Sequence, residues 1–257
     1  MSEIIFLGTC SGTEPMVGMH QCSLCFTVNG INYFFDCGEG CGYTAYTMGI
    51  DVMSTRAVFI SHTHIDHIGG FPHLLFLFDK IAYMKKCGLE RDNTLDVFIP
   101  SLELFTAIKA VGKSDGDPLR YNISEHGVCD GMIYEDENIR VTAYHNKHLG
   151  EDGSDGWHSF SYLIEAEGKR IIFSGDVGAM TDLDYLLSLG KCDILIMETG
   201  HHKVAAVLDF AKSRNVGALY FNHHGREIIN KRPEMQKLVS EHAQNAFIAH
   251  DGMRLVL

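Results

Sequence analysis

Residues 61–70 read SHTHIDHIGG, which crowds three histidines and an aspartate into six positions between the apolar run RAVFI and a glycine pair. His62 and His64 are two apart, so on an extended segment they point the same way. Asp66 and His67 follow where the chain must turn, and Gly69 and Gly70 permit that turn. Such a geometry offers two imidazoles to one metal ion and a carboxylate with an imidazole to a second. These donors suit zinc, iron or manganese. A strand before the cluster and glycines after it argue against a merely solvated histidine-rich loop.

The surrounding sequence alternates short strand-like runs with helical ones. EIIFLG, QCSLCFTV and NYFFDCG read as strands, the last two joined by a turn at Asn29-Gly30. FPHLLFLFDKIAYMKKCG has the length of a helix, with Pro72 in its first turn and Gly88 as its stop. LDVFIP, IRVTAYH, HSFSYLIEA, KRIIFSGD, CDILIME, GALYFNH and NAFIAHD read as further strands. Helices are expected over SLELFTAIKAVG, Lys203–Ser213 and Pro233–Ala243. Interleaved strands and helices imply an α/β architecture. With five prolines and no repeat or linker tract, residues 1–257 read as one domain.

Composition narrows the function. The formal net charge is −12, which disfavours nucleic acid, whose binding needs basic patches to displace counterions. No apolar run approaches the ~20 residues of a membrane span. The first residues, MSEIIFLGTCSG, show no basic region followed by a long apolar one, so a cytoplasmic location is expected. In that setting eight cysteines imply reduced thiols rather than disulfides.

Four strand-like segments end in candidate ligands: YFFDCG in Asp36, AVFISHTH in His62 and His64, IIFSGD in Asp176, and ALYFNHH in His223. Strand ends along one edge of a sheet would bring these groups together. VTAYHNKHLG adds either His145 or His148.

HTHIDHIGG resembles the central motif of the metallo-β-lactamase superfamily, and the other motifs of that superfamily follow in order. The resemblance implies a four-layer αββα sandwich around two divalent metal ions, zinc first with manganese or iron as alternatives. It selects His148 over His145. One metal would take His62, His64 and His148, and the other Asp66, His67 and His223, with Asp176 between them. Asp36 would support the ligands. FLGTCSGTEP, FDCGEG, METGHH and FNHHGRE are most similar to ribonuclease Z and its phosphodiesterase relatives. His201, 22 residues before His223, matches a catalytic histidine of that pattern, with Glu198 beside it.

One departure shapes the expected substrate. Ribonuclease Z enzymes carry a tRNA-gripping arm between the third and fourth motifs, yet here only 28 positions separate His148 from Asp176. Glu151, Asp152 and Asp155 make that stretch acidic. The resemblance therefore implies hydrolysis of a small or nucleotide-like phosphodiester by a metal-bridging hydroxide, with tRNA disfavoured and a homodimer in keeping with the family. Asp66 would orient or deprotonate the hydroxide, and His201, with His202 as its rival, would protonate the leaving group. Hydrolysis of a lactone, thioester or sulfate ester, tRNA 3′-processing, a redox di-iron centre and ligand sensing remain as alternatives.

Other histidines and cysteines carry weaker signals. His20, Cys22 and Cys25 lie where a related phosphodiesterase holds a structural zinc, with His224 as a fourth donor, but QCSLCFTV also reads as an ordinary strand with its cysteines on opposite faces. Cys37 and Cys41 read as packing thiols. His73 and His158 are candidates for the substrate cleft, and Phe71, Phe76 and Phe78 for helix packing.

Overall fold

A computed structural model describes residues 2–113, 118–150 and 156–257. Strands β1 (Glu3–Gly8), β2 (Ser23–Val28), β3 (Ile31–Cys37), β4 (Thr55–Phe59), β5 (Thr94–Ile99) and β6 (Asn122–Gly127) form one sheet in that order. The second sheet runs through β7 (Gly131–Glu135), β8 (Ile139–His145), β9 (Phe160–Ala166), β10 (Lys169–Phe173), β11 (Ile194–Glu198), β12 (Ala218–Asn222) and β13 (Ala246–Ile248). A last strand, β14 (Arg254–Val256), returns to the first sheet and pairs antiparallel with β1.

The two sheets pack face to face through aromatic side chains. Phe35 stacks on Phe59 with centroids 4.8 Å apart, and meets Tyr162 and Phe173 of the other sheet edge-on at 5.8 and 6.3 Å. Helices α1 (Cys41–Thr47), α2 (Ile65–Ile68), α3 (Phe71–Lys85) and α4 (Leu102–Gly112) accompany the first sheet. Leu74, Phe78 and Phe105 pack there with Phe34, Val58 and Val97. The second sheet is accompanied by α5 (Asp184–Ser188), α6 (Val204–Ser213), α7 (Arg226–Asn230) and α8 (Arg232–His242). Leu186, Val207, Ile228 and Val239 pack with Leu195, Leu219 and Phe221. The result is an αββα sandwich with three apolar layers between its four structural layers.

This explains why so many strands read as unbroken apolar runs. In β3, Tyr33 and Phe35 face the opposite sheet while Phe34 faces the helices, and all three are fully buried. Local chemistry sets the connections. Asn29 and Gly30 take positive φ of 52° and 84°, joining β2 to β3 by a two-residue hairpin turn. Ser101 caps α4 by accepting the Leu104 amide at 3.2 Å. Helix α3 begins with Pro72 in its first turn but stops at Lys86, in the left-handed region, before the expected Gly88. Among the described residues, no helix is long and apolar enough to cross a membrane.

Candidate metal centre

Strands β3, β4 and β5 are mutually parallel, as are β10, β11 and β12. Their carboxyl ends therefore deliver Asp36, His62, Asp176, Glu198 and His223 to one edge of the sandwich, where open α/β sheets usually place ligands. The tight turn into α2 adds His64, Asp66 and His67.

The donors form two trios. His64 Nδ1 lies 3.0 Å from His62 Nε2 and 3.2 Å from His148 Nε2. In the second trio, His223 Nε2 is 3.2 Å from His67 Nε2 and 3.1 Å from Asp66 Oδ2. Asp176 stands between them. Its Oδ2 faces His62 Nε2 at 3.9 Å and His148 Nε2 at 3.8 Å, and its Oδ1 is 3.5 Å from His67 Nε2.

Buried partners fix which nitrogen each ring presents. Asp36 accepts the Ser61 amide at 2.7 Å, the Ser61 hydroxyl at 2.8 Å and His67 Nδ1 at 2.7 Å. The Ser61 oxygen in turn accepts from His62 Nδ1 at 3.1 Å. Both rings thus spend their Nδ1 protons on the protein and turn bare Nε2 atoms inward. Asn146, also buried, accepts the His148 amide at 3.0 Å.

Electrostatics agree with a cation at this place. Burial keeps His62 and His148 below the usual imidazole range, hence neutral. Burial also opposes charge on His67, but the fields of Asp176 and Asp36 overturn that and favour positive charge there. Burial would likewise raise Asp176, yet His223 and His67 hold it well below the usual carboxylate range. His67 Nε2 and His223 Nε2 face each other at only 3.2 Å, and the buried Asp176 Oδ1 and His223 Nδ1 have no hydrogen-bond partner, which leaves polar atoms unsatisfied. Divalent ions would satisfy both trios, and the donor set fits them.

A cleft of about 280 Å³ opens over the trios, lined in part by Ser11, Gly12, Thr13, His201 and Arg226. His201 Nδ1 donates to buried Glu198 Oε1 at 3.0 Å, and Glu198 Oε2 accepts the His201 amide at 2.9 Å. That hydrogen bond raises the histidine above its ordinary value. His202 instead donates Nε2 to the Val177 carbonyl at 3.2 Å and does not line the cleft. A Cβ on Gly12 would lie 2.8 Å from Asp66 Oδ2, so the loop after β1 reaches the site because this residue lacks one.

Several sequence candidates lie elsewhere. His145 donates to Asp130 at 2.7 Å and stacks on Trp157 with centroids 4.0 Å apart. His20 pairs with Glu39, and Cys22, just before β2, and Cys25, within it, pack into different apolar layers. Buried His224 donates to the Ala249 carbonyl at 2.8 Å. All eight cysteines are free, and burial pushes the Cys22 and Cys25 thiols up to about 12. His73 lines a separate groove with Pro72 and Phe76, and His158 is not among the residues lining the cleft. Phe71 and Phe78 are core residues, whereas Phe76 is exposed beneath Lys80. Glu151, Asp152 and Asp155 lie outside the described residues.

Residues 2–204 match the family model for the Anti-Pycsar protein Apyc1. The chain belongs to that family. This Apyc1-family chain is also similar to the Ribonuclease Z of Methanothermobacter thermautotrophicus (strain Delta H), with 32% identity over 146 residues, or 56% of the chain and 43% of that relative. It spans about half the length of the curated relatives it matches. Human tRNase Z, short form, shares the fold with a TM-score of 0.75 at 18% identity, covering 98% of each chain. The metallo-beta-lactamase fold protein YhfI from Bacillus subtilis has a TM-score of 0.75 at 15% identity, covering 99% of this chain and 98% of its own. The chain thus shares the metallo-β-lactamase fold with these solved structures and is similar in sequence to proteins named Ribonuclease Z.

Proposed function

We propose that the chain is a binuclear metal-dependent hydrolase, a phosphodiesterase acting on a small or nucleotide-like phosphodiester. One observation carries this reading: two donor trios, His62–His64–His148 and Asp66–His67–His223, flank the single carboxylate of Asp176 at the floor of an open cleft. The trios would each hold one divalent ion, zinc first by donor type, with Asp176 between the two. Two such ions would polarise the scissile ester and make water acidic enough to attack near neutral pH.

The chain's own residues then divide the remaining work. Asp36 and Ser61 hold His62 and His67 in the tautomers that turn Nε2 inward. Asp66 faces the cleft beside His223 and can orient the attacking water. Glu198 holds the His201 ring through Nδ1 and favours its protonated form, whose Nε2–H is then left for the substrate. As water adds to phosphorus and the P–O bond breaks, His201 gives that proton to the departing oxygen. The relationship to proteins named Ribonuclease Z supports phosphoester chemistry, while the net charge of −12 weighs against a polyanionic RNA substrate.

Elemental analysis of the purified protein, followed by a panel of bis(p-nitrophenyl) phosphate, cyclic nucleotides, a lactone, a thioester and an aryl sulfate, tests the proposal. Two equivalents of divalent metal and turnover of phosphodiesters above the other esters are expected. Turnover confined to the lactone or thioester would move the reading to another ester class.

A further inference from the structure

The mouth of the cleft is itself bridged. Ser11, Gly12 and Thr13 form one wall, and Gly225 and Arg226 form another. Among the described residues lining the cleft, Arg226 is the one lysine or arginine. Its guanidinium donates through Nη2 to Glu14 Oε2, on the loop that forms the opposite wall. The Glu14 and Arg226 side chains are 61% and 49% exposed, so the pair is solvated and easily parted.

An arginine fork matches the oxygens of a phosphate, and an anionic substrate approaching a chain of net charge −12 needs a local cation. A neutral lactone or thioester has no group to exchange for the Glu14 carboxylate, whereas a phosphodiester does. We propose that Arg226 recognises a phosphoryl oxygen of the substrate and that Glu14 is its built-in competitor, displaced as the anion enters. Glu14 then sets a threshold for substrate affinity, and Arg226 selects anionic esters over neutral ones. The proposal rests on the phosphodiesterase reading above and adds residues that the metal centre does not use.

Inorganic phosphate is the probe, its binding to the metal-loaded full chain measured calorimetrically at constant ionic strength for wild type, Glu14→Gln, Arg226→Gln and the double variant. Arg226→Gln should weaken phosphate binding about tenfold or more, the loss expected for a charged hydrogen bond. Glu14→Gln should tighten it by about 3- to 5-fold, the scale of an exposed ion pair. The double variant should behave as Arg226→Gln, because a competitor has no effect once its target is gone. Both positions are exposed, and unchanged thermal midpoints would show that folding is intact. For bis(p-nitrophenyl) phosphate, KM should move in the same order while kcat changes less. Wild-type affinity in Arg226→Gln, unchanged or weakened binding in Glu14→Gln, or no phosphate binding by wild type would each overturn the latch. Phosphate affinities in the expected order without phosphodiester turnover would sink the enzymatic reading and leave the latch standing.

Discussion

His67 and Asp36 are both fully buried, and His67 Nδ1 lies 2.7 Å from Asp36 Oδ2. Asp36 comes from the end of β3 and His67 from α2, so one hydrogen bond ties a sheet edge to the turn that carries half the candidate ligands. Asp36 adopts a left-handed φ of 58°, which aspartate tolerates better than most residues. That conformation lets its carboxylate meet Ser61 and His67 at once.

Asp36→Asn keeps the shape but removes the charge and cannot accept all three hydrogen bonds. Partners of ligating histidines typically contribute 10- to 100-fold to metal affinity. A loss of about that size at the second trio is expected, with destabilisation of about 1–3 kcal/mol from the unsatisfied group. Competitive zinc titration and urea unfolding measure the two effects. Wild-type affinity in a folded Asp36→Asn protein would show that Asp36 does not orient His67.

His201→Ala should retain both metals and lower kcat by about 10²–10⁴ on alkoxide-releasing phosphodiesters, the usual contribution of a positioned proton donor. The effect should shrink on bis(p-nitrophenyl) phosphate, whose phenolate leaves readily without a proton. Glu198→Gln should show the same leaving-group dependence more weakly, because it frees the ring Glu198 now fixes at 3.0 Å. Equal losses on both ester types would contradict a proton-donor role.

How the sequence announced these features depended on how local each was. The spacing of His62, His64, Asp66 and His67 encodes a turn, so that part of the site was readable directly. Between His145 and His148 the residues alone did not choose, because the choice depends on Asn146 gripping the His148 amide and on Asp130 drawing His145 away. Apolar strands buried on both faces stood out, whereas β6, with exposed and half-exposed residues throughout NISEHG, left no hydrophobic signature. Helix α1 follows a glycine-rich turn and is only seven residues long, too short for a clear period. Gly12, Ser61 and Arg226 act through contacts across the fold, which no spacing in the chain displays.

Gly12→Ala is expected to disturb one trio and spare the other. The added Cβ would fall 2.8 Å from Asp66 Oδ2 and 2.9 Å from Cγ, closer than such atoms come, so either the loop or the carboxylate must move. Metal content should fall from two equivalents toward one, with the His62–His64–His148 trio retained. Gly127→Ala, where a Cβ meets nothing within 4 Å, serves as the control. Two tightly held equivalents in Gly12→Ala would show that the loop yields without cost.

Acid stability should depend on a second buried carboxylate, far from the cleft. The Asp136 side chain, 2% exposed, accepts from Tyr33 Oη at 2.6 Å, Tyr134 Oη at 2.9 Å and the Asn138 and Ile139 amides at 2.8 and 2.9 Å. Arg56 adds an ion pair at 3.1 Å and also holds Glu90. Burial opposes the charge, but these donors outweigh it and keep the carboxyl below its ordinary 3.8. A carboxyl depressed by folding binds protons more readily in the unfolded chain. Its contribution is therefore complete above the unfolded value and disappears as pH falls through the folded one. Stability measured by urea unfolding should decline below about pH 4 by this linkage. Asp136→Asn should lower stability near pH 7 by about 1–3 kcal/mol, since its buried hydrogen-bond donors lose a charged acceptor while Arg56 keeps Glu90 and Glu137. Its deficit relative to wild type should shrink as the solution is acidified, while Asp79, lowered in the same sense by the Arg120 amide and Lys113, preserves part of the slope in both proteins. A deficit that stays constant from pH 7 down to the acid transition would mean that Asp136 contributes packing and not charge.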